Sequence, residues 1–215
     1  MATGFSDGFL DEIIEAYVKD LGQRVEDTDQ FEHYSPGHAR RVAEVSMALC
    51  EGMGFDAEDL RVVKTAALMH DIGEVIQRHK FYGAARPLTV EETVEMWQHS
   101  LIGEREVARR GFGRQEQLLV RWHHERFNGT GYPDMIFGPD IPWGARIIRI
   151  ADTWDALTND RPWRKCYSDH VALEEMRLGA GNEFDPELIS LFVEMHAEGQ
   201  IGGKASWSKN TSVLR

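Results

Sequence analysis

From residue 35 to residue 196 apolar residues recur at helical spacing, and several of the apolar stripes are interrupted by a histidine or an aspartate. His38 shares a face with Val42, Val45 and Leu49, and His70 continues the series Leu60, Val63, Ala67, with Asp71 directly after it. Ile148, Asp152 and Asp155 fall together on a later segment. Burying a charged or strongly polar group without a partner is costly. A chain patterned this way folds well only if its helices bring these groups to partners or to one another. The pattern predicts an all-α protein, a helical bundle with imidazoles and carboxylates turned inward.

The helix signals are local. Residues 6–22 carry Phe9, Ile13, Ile14, Tyr17 and Leu21 at helical spacing, and residues 27–33 form a polar connector. Ser35-Pro36 predicts an N-cap followed by proline at the first helical position, with the helix running to about Met53 and stopping at Gly54. Asp56 caps the next helix, and residues 74–88, with Gly83 and Pro87, are expected to be a loop. Thr89 to Glu92 has the spacing of a capping box, and His99 is placed near the start of a helix or at a break in one. Helices are expected over 115–122, over the isoleucine-rich stretch 143–158, and over 169–176 and 186–196. The division expected is an N-terminal helical extension (1–33), a main domain (34–198) and a loosely held tail (199–215).

Charge and composition exclude several functions. There are 24 basic and 36 acidic residues, a net charge of −12, which disfavours a binder of nucleic-acid polymers. No apolar run approaches the roughly 20 residues of a membrane span, and MATGFSDGFLDEII lacks the form of a secretory signal. Cys50 and Cys166 are far apart and in no metal-binding spacing, which predicts reduced thiols and a cytoplasmic protein.

Taken singly, each polar residue has an ordinary reading. His38 and His99 suit hydrogen-bonded core histidines, Asp71 a turn residue before Gly73, and Asp152 and Asp155 salt bridges to Arg161 or Arg164. The stretch HHERFNGTGYP, residues 123–133, is harder to explain as packing, because adjacent histidines lead into a glycine-rich turn. As a set, His38, His70, Asp71, His99, His123, His124 and Asp152 spread over five helical segments in the way helical bundles assemble dinuclear centres. The donors suit iron, manganese, nickel or zinc.

The chain here resembles the HD-GYP branch of the HD superfamily of metal-dependent phosphohydrolases. The matching stretches are GHARRVAEV, HDIG, LTVEE, HSLIG, HHERFNGTGYP, ARIIRIAD and DALTNDRPWRK, in family order over residues 34–195. The resemblance implies an all-helical fold and hydrolysis of cyclic di-GMP or a related cyclic dinucleotide by a metal-bridging hydroxide. The seven residues just named would be the ligands of two divalent ions, with iron or manganese foremost and Asp71 bridging. Two such ions, offset by two aspartates and the hydroxide, leave about one positive charge to attract a phosphodiester. Asp155, Arg161 and Arg164 would lie near the phosphate or orient ligands. Gly131 and Tyr132 would belong to a loop that borders the substrate and offers a surface to a signalling protein.

Three positions depart from the family pattern. Glu74 stands where lysine usually follows HDIG, so a carboxylate would repel the phosphate and could leave a weakened, ligand-binding module. Asn128 replaces the aspartate before GxGYP and keeps the turn chemistry. Tyr34 stands where some members carry a glutamate for a third ion, so two metals are expected. A phosphohydrolase acting on another nucleotide or phosphoester is the remaining alternative.

Overall fold

The computed structural model describes residues 37–202, apart from 83 and 162. The helix expected over 6–22, the Ser35-Pro36 cap and Tyr34 lie outside them. The described residues are helical and contain no strand. In chain order the helices are α1 (His38–Gly52), α2 (Ala57–Met69), α3 (Ile72–Gln77), α4 (Val90–Arg109), α5 (Arg114–Trp122), α6 (Trp143–Thr158), α7 (Asp169–Leu178) and α8 (Pro186–Ala197). A short 3-10 turn, Gly138–Asp140, precedes α6.

Local chemistry sets most of the boundaries. Asp56 accepts hydrogen bonds from the amides of Glu58 and Asp59 at the start of α2. Thr89 and Glu92 close the capping box reciprocally, so α4 begins at Val90 and runs for 20 residues. His99 therefore sits in the middle of an unbroken helix, correcting the expected start or break. Asp185 caps α8, with Pro186 in its first turn, and pairs at 2.5 Å with Arg146 of α6. Residues 72–77, partly assigned to a loop from sequence, form the short helix α3. A single turn and a half is too short to show periodicity.

Helix α1 packs against α2 and α6, α4 packs against α3 and α5, and α7 and α8 close the far side. Leu49, Ile147, Ile148, Ile150 and Phe192 fill the core. Gly73 carries much of the site's geometry. A β-carbon there would lie 1.9 Å from the carbonyl oxygen of His99, so only glycine lets α3 meet α4 at that residue. Ile201, inside the stretch expected to be loosely held, is buried in the core. No helix among the described residues is long and apolar enough to cross a membrane.

Candidate metal centre

The seven residues singled out from sequence come together, each at a helix end or on an inward face. His38 opens α1, His70 and Asp71 occupy the break between α2 and α3, and His99 lies midway along α4. His123 caps the end of α5, His124 follows it, and Asp152 lies in α6. Their donor atoms form two groups. His38, His70 and Asp152 make one; Asp71, His99, His123 and His124 make the other. Within each, the atoms lie within 4.8 Å of one another.

Asp71 joins the groups. Its Oδ2 is 3.0 Å from His70 Nε2 and 3.5 Å from His38 Nε2, while its Oδ1 is 3.6 Å from Nε2 of both His99 and His123. Asp152 Oδ1 lies 3.6 Å from His38 Nε2. His38 and His70 approach Nε2 to Nε2 at 3.3 Å, as do His99 and His123. The four imidazoles are almost wholly buried, and the carboxylates of Asp71 and Asp152 stand at the opening.

The rings are held from behind. His70, His99 and His123 each direct Nδ1 to the carbonyl three residues earlier, of Ala67, Met96 and Val120, at 2.7–2.8 Å. A carbonyl only accepts, so Nδ1 carries the hydrogen and Nε2 keeps its lone pair for the centre. His38 Nδ1 donates instead to Asp155 Oδ2 at 2.7 Å, and Asp155 is gripped by Arg41 Nε and Nη2. Asp155 thus orients a candidate ligand, and its ion pair is with Arg41, not Arg161 or Arg164. His124 is built differently. Arg149 donates to its Nδ1 at 2.9 Å, and Arg149 also pairs with Glu183. That places the neutral ring's hydrogen on Nε2, so His124 can offer a lone pair only when the Arg149 contact yields.

The electrostatics separate the two groups. Burial pulls the His38 imidazole down, but Asp155, Asp71 and Asp152 outweigh it and push it up to about 10. His70 is raised as well, its burial overcome by Asp71. His99 is lowered to about 4, chiefly by burial, and His124 falls well below its usual range through burial and the neighbouring His123, His99 and Arg149. Asp71, although burial favours its neutral form, is held well below the usual carboxylate range by His70, His123 and His38. An ionised carboxylate shared between two sets of imidazoles fits divalent transition-metal ions.

The loop after His124 folds back over the site. A β-carbon on Gly131 would lie 2.3 Å from the Arg126 amide nitrogen and 2.6 Å from the His124 carbonyl oxygen, so this return needs glycine. Glu125 Oε1 accepts from the amides of Asp134 and Met135, which makes it a clamp on the loop. Asn128 Oδ1 accepts from the amide and hydroxyl of Thr130, the turn chemistry expected. Tyr132, beside the cis bond to Pro133, lays its ring 4.8 Å from that of His124 and 5.1 Å from that of Trp97. Burial pushes its phenol well above the ordinary value.

Glu74 is buried in the first turn of α3, its Oε1 4.0 Å from His99 Nδ1. Arg164 donates to the carbonyls of Ala156, Leu157 and Lys165 and lies over the Tyr167 ring, so it holds the end of α6. Arg161 is bridged to it through the backbone. Arg41 and Arg149 were missed from sequence. Arg41 lies one helical turn after His38, a spacing that puts it on the same face.

A family model described as HD domain matches residues 13–188. RpfG of Xanthomonas campestris pv. campestris, named a cyclic di-GMP phosphodiesterase response regulator, is 31% identical over 77% of this chain and 45% of the relative. A Vibrio cholerae protein named 3'3'-cGAMP-specific phosphodiesterase 2 is 31% identical over 73% of this chain and 30% of its own length. The chain thus spans less than half the length of these relatives. Among solved structures, an HDG"Y"P protein from Bdellovibrio bacteriovorus aligns with a TM-score of 0.63 at 19% identity, covering 74% of this chain and 51% of that one, a likeness of fold.

Proposed function

The chain belongs to the HD domain family and carries the residue pattern of its HD-GYP branch, and from that premise we propose that it is a metal-dependent phosphodiesterase hydrolysing cyclic di-GMP or a related cyclic dinucleotide. The observation that carries the proposal is Asp71, whose two oxygens face two separate groups of donors.

In this reading His38, His70 and Asp152 would hold one ion and His99, His123 and, once released by Arg149, His124 would hold a second, with Asp71 shared between them. Iron or manganese suits the donors, as do nickel and zinc. When bound, two such ions supply Lewis acidity toward the phosphoryl oxygens and lower the pKa of water at the centre. The protein's part is to fix that centre and to receive the phosphodiester. The Nδ1 contacts behind His70, His99 and His123 set the direction of their Nε2 atoms. Asp155, clamped by Arg41, does this for His38. Tyr132 keeps its phenolic hydrogen across neutral pH and so remains a hydrogen-bond donor at the mouth. Arg161, whose backbone pairs with that of Arg164, would meet the phosphate.

The test is anaerobic purification, metal analysis, and incubation with cyclic di-GMP and 3'3'-cGAMP in the presence of Mn²⁺ or Fe²⁺. The expected result is two metal equivalents and linear dinucleotide or mononucleotide product. Tight binding without product would instead favour a signalling module whose turnover Glu74 has suppressed. Hydrolysis of other phosphoesters alone would move the chain to a different substrate class.

A further inference from the structure

Trp97 projects from α4 two residues before His99 and is 41% exposed. An exposed indole is a large apolar surface left in water, and here its position is fixed by one specific contact. Its ring stacks on Tyr132 with centroids 5.1 Å apart and planes inclined by 20°. Tyr132 lies 4.8 Å from the His124 ring at 31° and meets the His99 ring edge-on at 6.1 Å. Aromatic rings therefore run without interruption from two candidate ligands out to solvent. Val90 and Val94 extend the exposed apolar side of α4 away from Trp97, but neither can stack a ring.

The charges around this path matter. Tyr132 feels the Arg149 guanidinium first and then the carboxylates of Glu74, Asp71 and Asp152. The metal centre addresses only the phosphodiester, so affinity for the rest of a nucleotide has to come from outside it. A nucleobase stacking on an indole supplies it, and does so for any base, because every base has a π-face.

We propose that Trp97 is the platform on which a base of the substrate stacks while its phosphodiester lies over the metal centre, and that Trp97 sets affinity for nucleotides over base-free phosphoesters. This rests on the phosphodiesterase reading given above. Trp97 does not touch the reacting atoms, so its signature is in binding. With metal-loaded protein and cyclic di-GMP as the probe, Trp97→Ala is expected to raise both Kd and KM by about tenfold, with kcat within about twofold of wild type and metal content unchanged. Trp97→Phe should recover most of the affinity. An alanine variant whose Kd and KM stay within about twofold of wild type would overturn the platform and leave the phosphodiesterase reading standing. So would loss of metal together with affinity, which would mark Trp97 as part of the scaffold. Wild-type protein that neither binds nor cleaves the probe would remove the phosphodiesterase reading, and this inference with it.

Discussion

The half of the centre built on His38, His70 and Asp152 and the half built on His99, His123 and His124 share Asp71 but differ in what stands behind their ligands. Behind His38 is an anion: Asp155 accepts from Nδ1 and is held by Arg41. Behind His124 is a cation: Arg149 donates to Nδ1. The first half therefore draws in positive charge, and its imidazoles are pushed up, His38 to about 10. In the second, His99 is pushed down to about 4 and His124 well below its usual range. An anion behind an imidazole strengthens it as a ligand, and a cation weakens it. On the proposed reading, the difference predicts that two ions of the same charge are held with unequal strength, the tighter one beside His38.

The sharpest way to break this comparison is to remove what the halves share. Asp71→Ala takes one carboxylate oxygen from each group at once. Loss of both metal equivalents is expected, with turnover falling by at least about a thousandfold. Metal analysis beside kinetics checks it. A variant that keeps one equivalent and measurable turnover would show that the halves are independent.

The half beside His38 depends next on Asp155. Asp155→Asn is expected to weaken metal at that half by about 10- to 100-fold and leave the other half unchanged, read by metal titration. The same variant has a pH signature. Burial favours neutral Asp155, but His38 and Arg41 hold its pKa down at about 2, against an ordinary value of 3.8. A depressed carboxylate contributes stability that is full above its ordinary pKa and is lost as pH falls through the folded value. The wild type should therefore lose about 2 kcal/mol more than the variant between pH 5 and pH 2, measured by denaturant unfolding. Parallel acid limbs in the two proteins would show that the Asp155 contacts carry no such stability.

These parts were unequally legible in the sequence. The clustering of these side chains could be read because histidines and aspartates interrupt apolar stripes, and a stripe fixes which way a side chain faces. The run 143–158 reads as a helix despite its isoleucines, and α6 spans those residues. What stands behind the ligands could not be read. Asp155 meets Arg41 across 114 residues of chain, and Arg149 joins His124 to Glu183 from a third element. Periodicity gives a residue's face but not which charge on a neighbouring helix will meet it. Salt bridges from Asp155 to Arg161 or Arg164 were a reasonable expectation from nearness in sequence. The fold instead turns Arg164 onto the carbonyls that end α6.

Arg149 tests the comparison from the other side. If its contact with His124 Nδ1 opposes metal binding, Arg149→Met should tighten metal at that half by about tenfold, since it removes a nearby positive charge and frees the lone pair. Its loss of the Glu183 contact should also loosen the loop over the site, lowering affinity for nucleotide. Weaker metal in this variant would mean that Arg149 positions the ring and does not compete for it.

The smallest effect expected is at Glu74, beside His99. From sequence alone, lysine is the natural replacement, since the related pattern has lysine there. The structure argues for a different variant. Glu74 is buried, with Oε1 4.0 Å from His99 Nδ1, and a lysine would have to carry its charge into that space. Glu74→Gln removes the charge and keeps the shape. If the carboxylate opposes an incoming phosphodiester, kcat/KM should rise by about fivefold, or about 1 kcal/mol of Coulomb repulsion relieved at that range. The gain should shrink as salt is added, to the extent that solvent screens the pair. Unchanged kcat/KM at low salt, in a variant of wild-type melting temperature and metal content, would mean that Glu74 faces the scaffold.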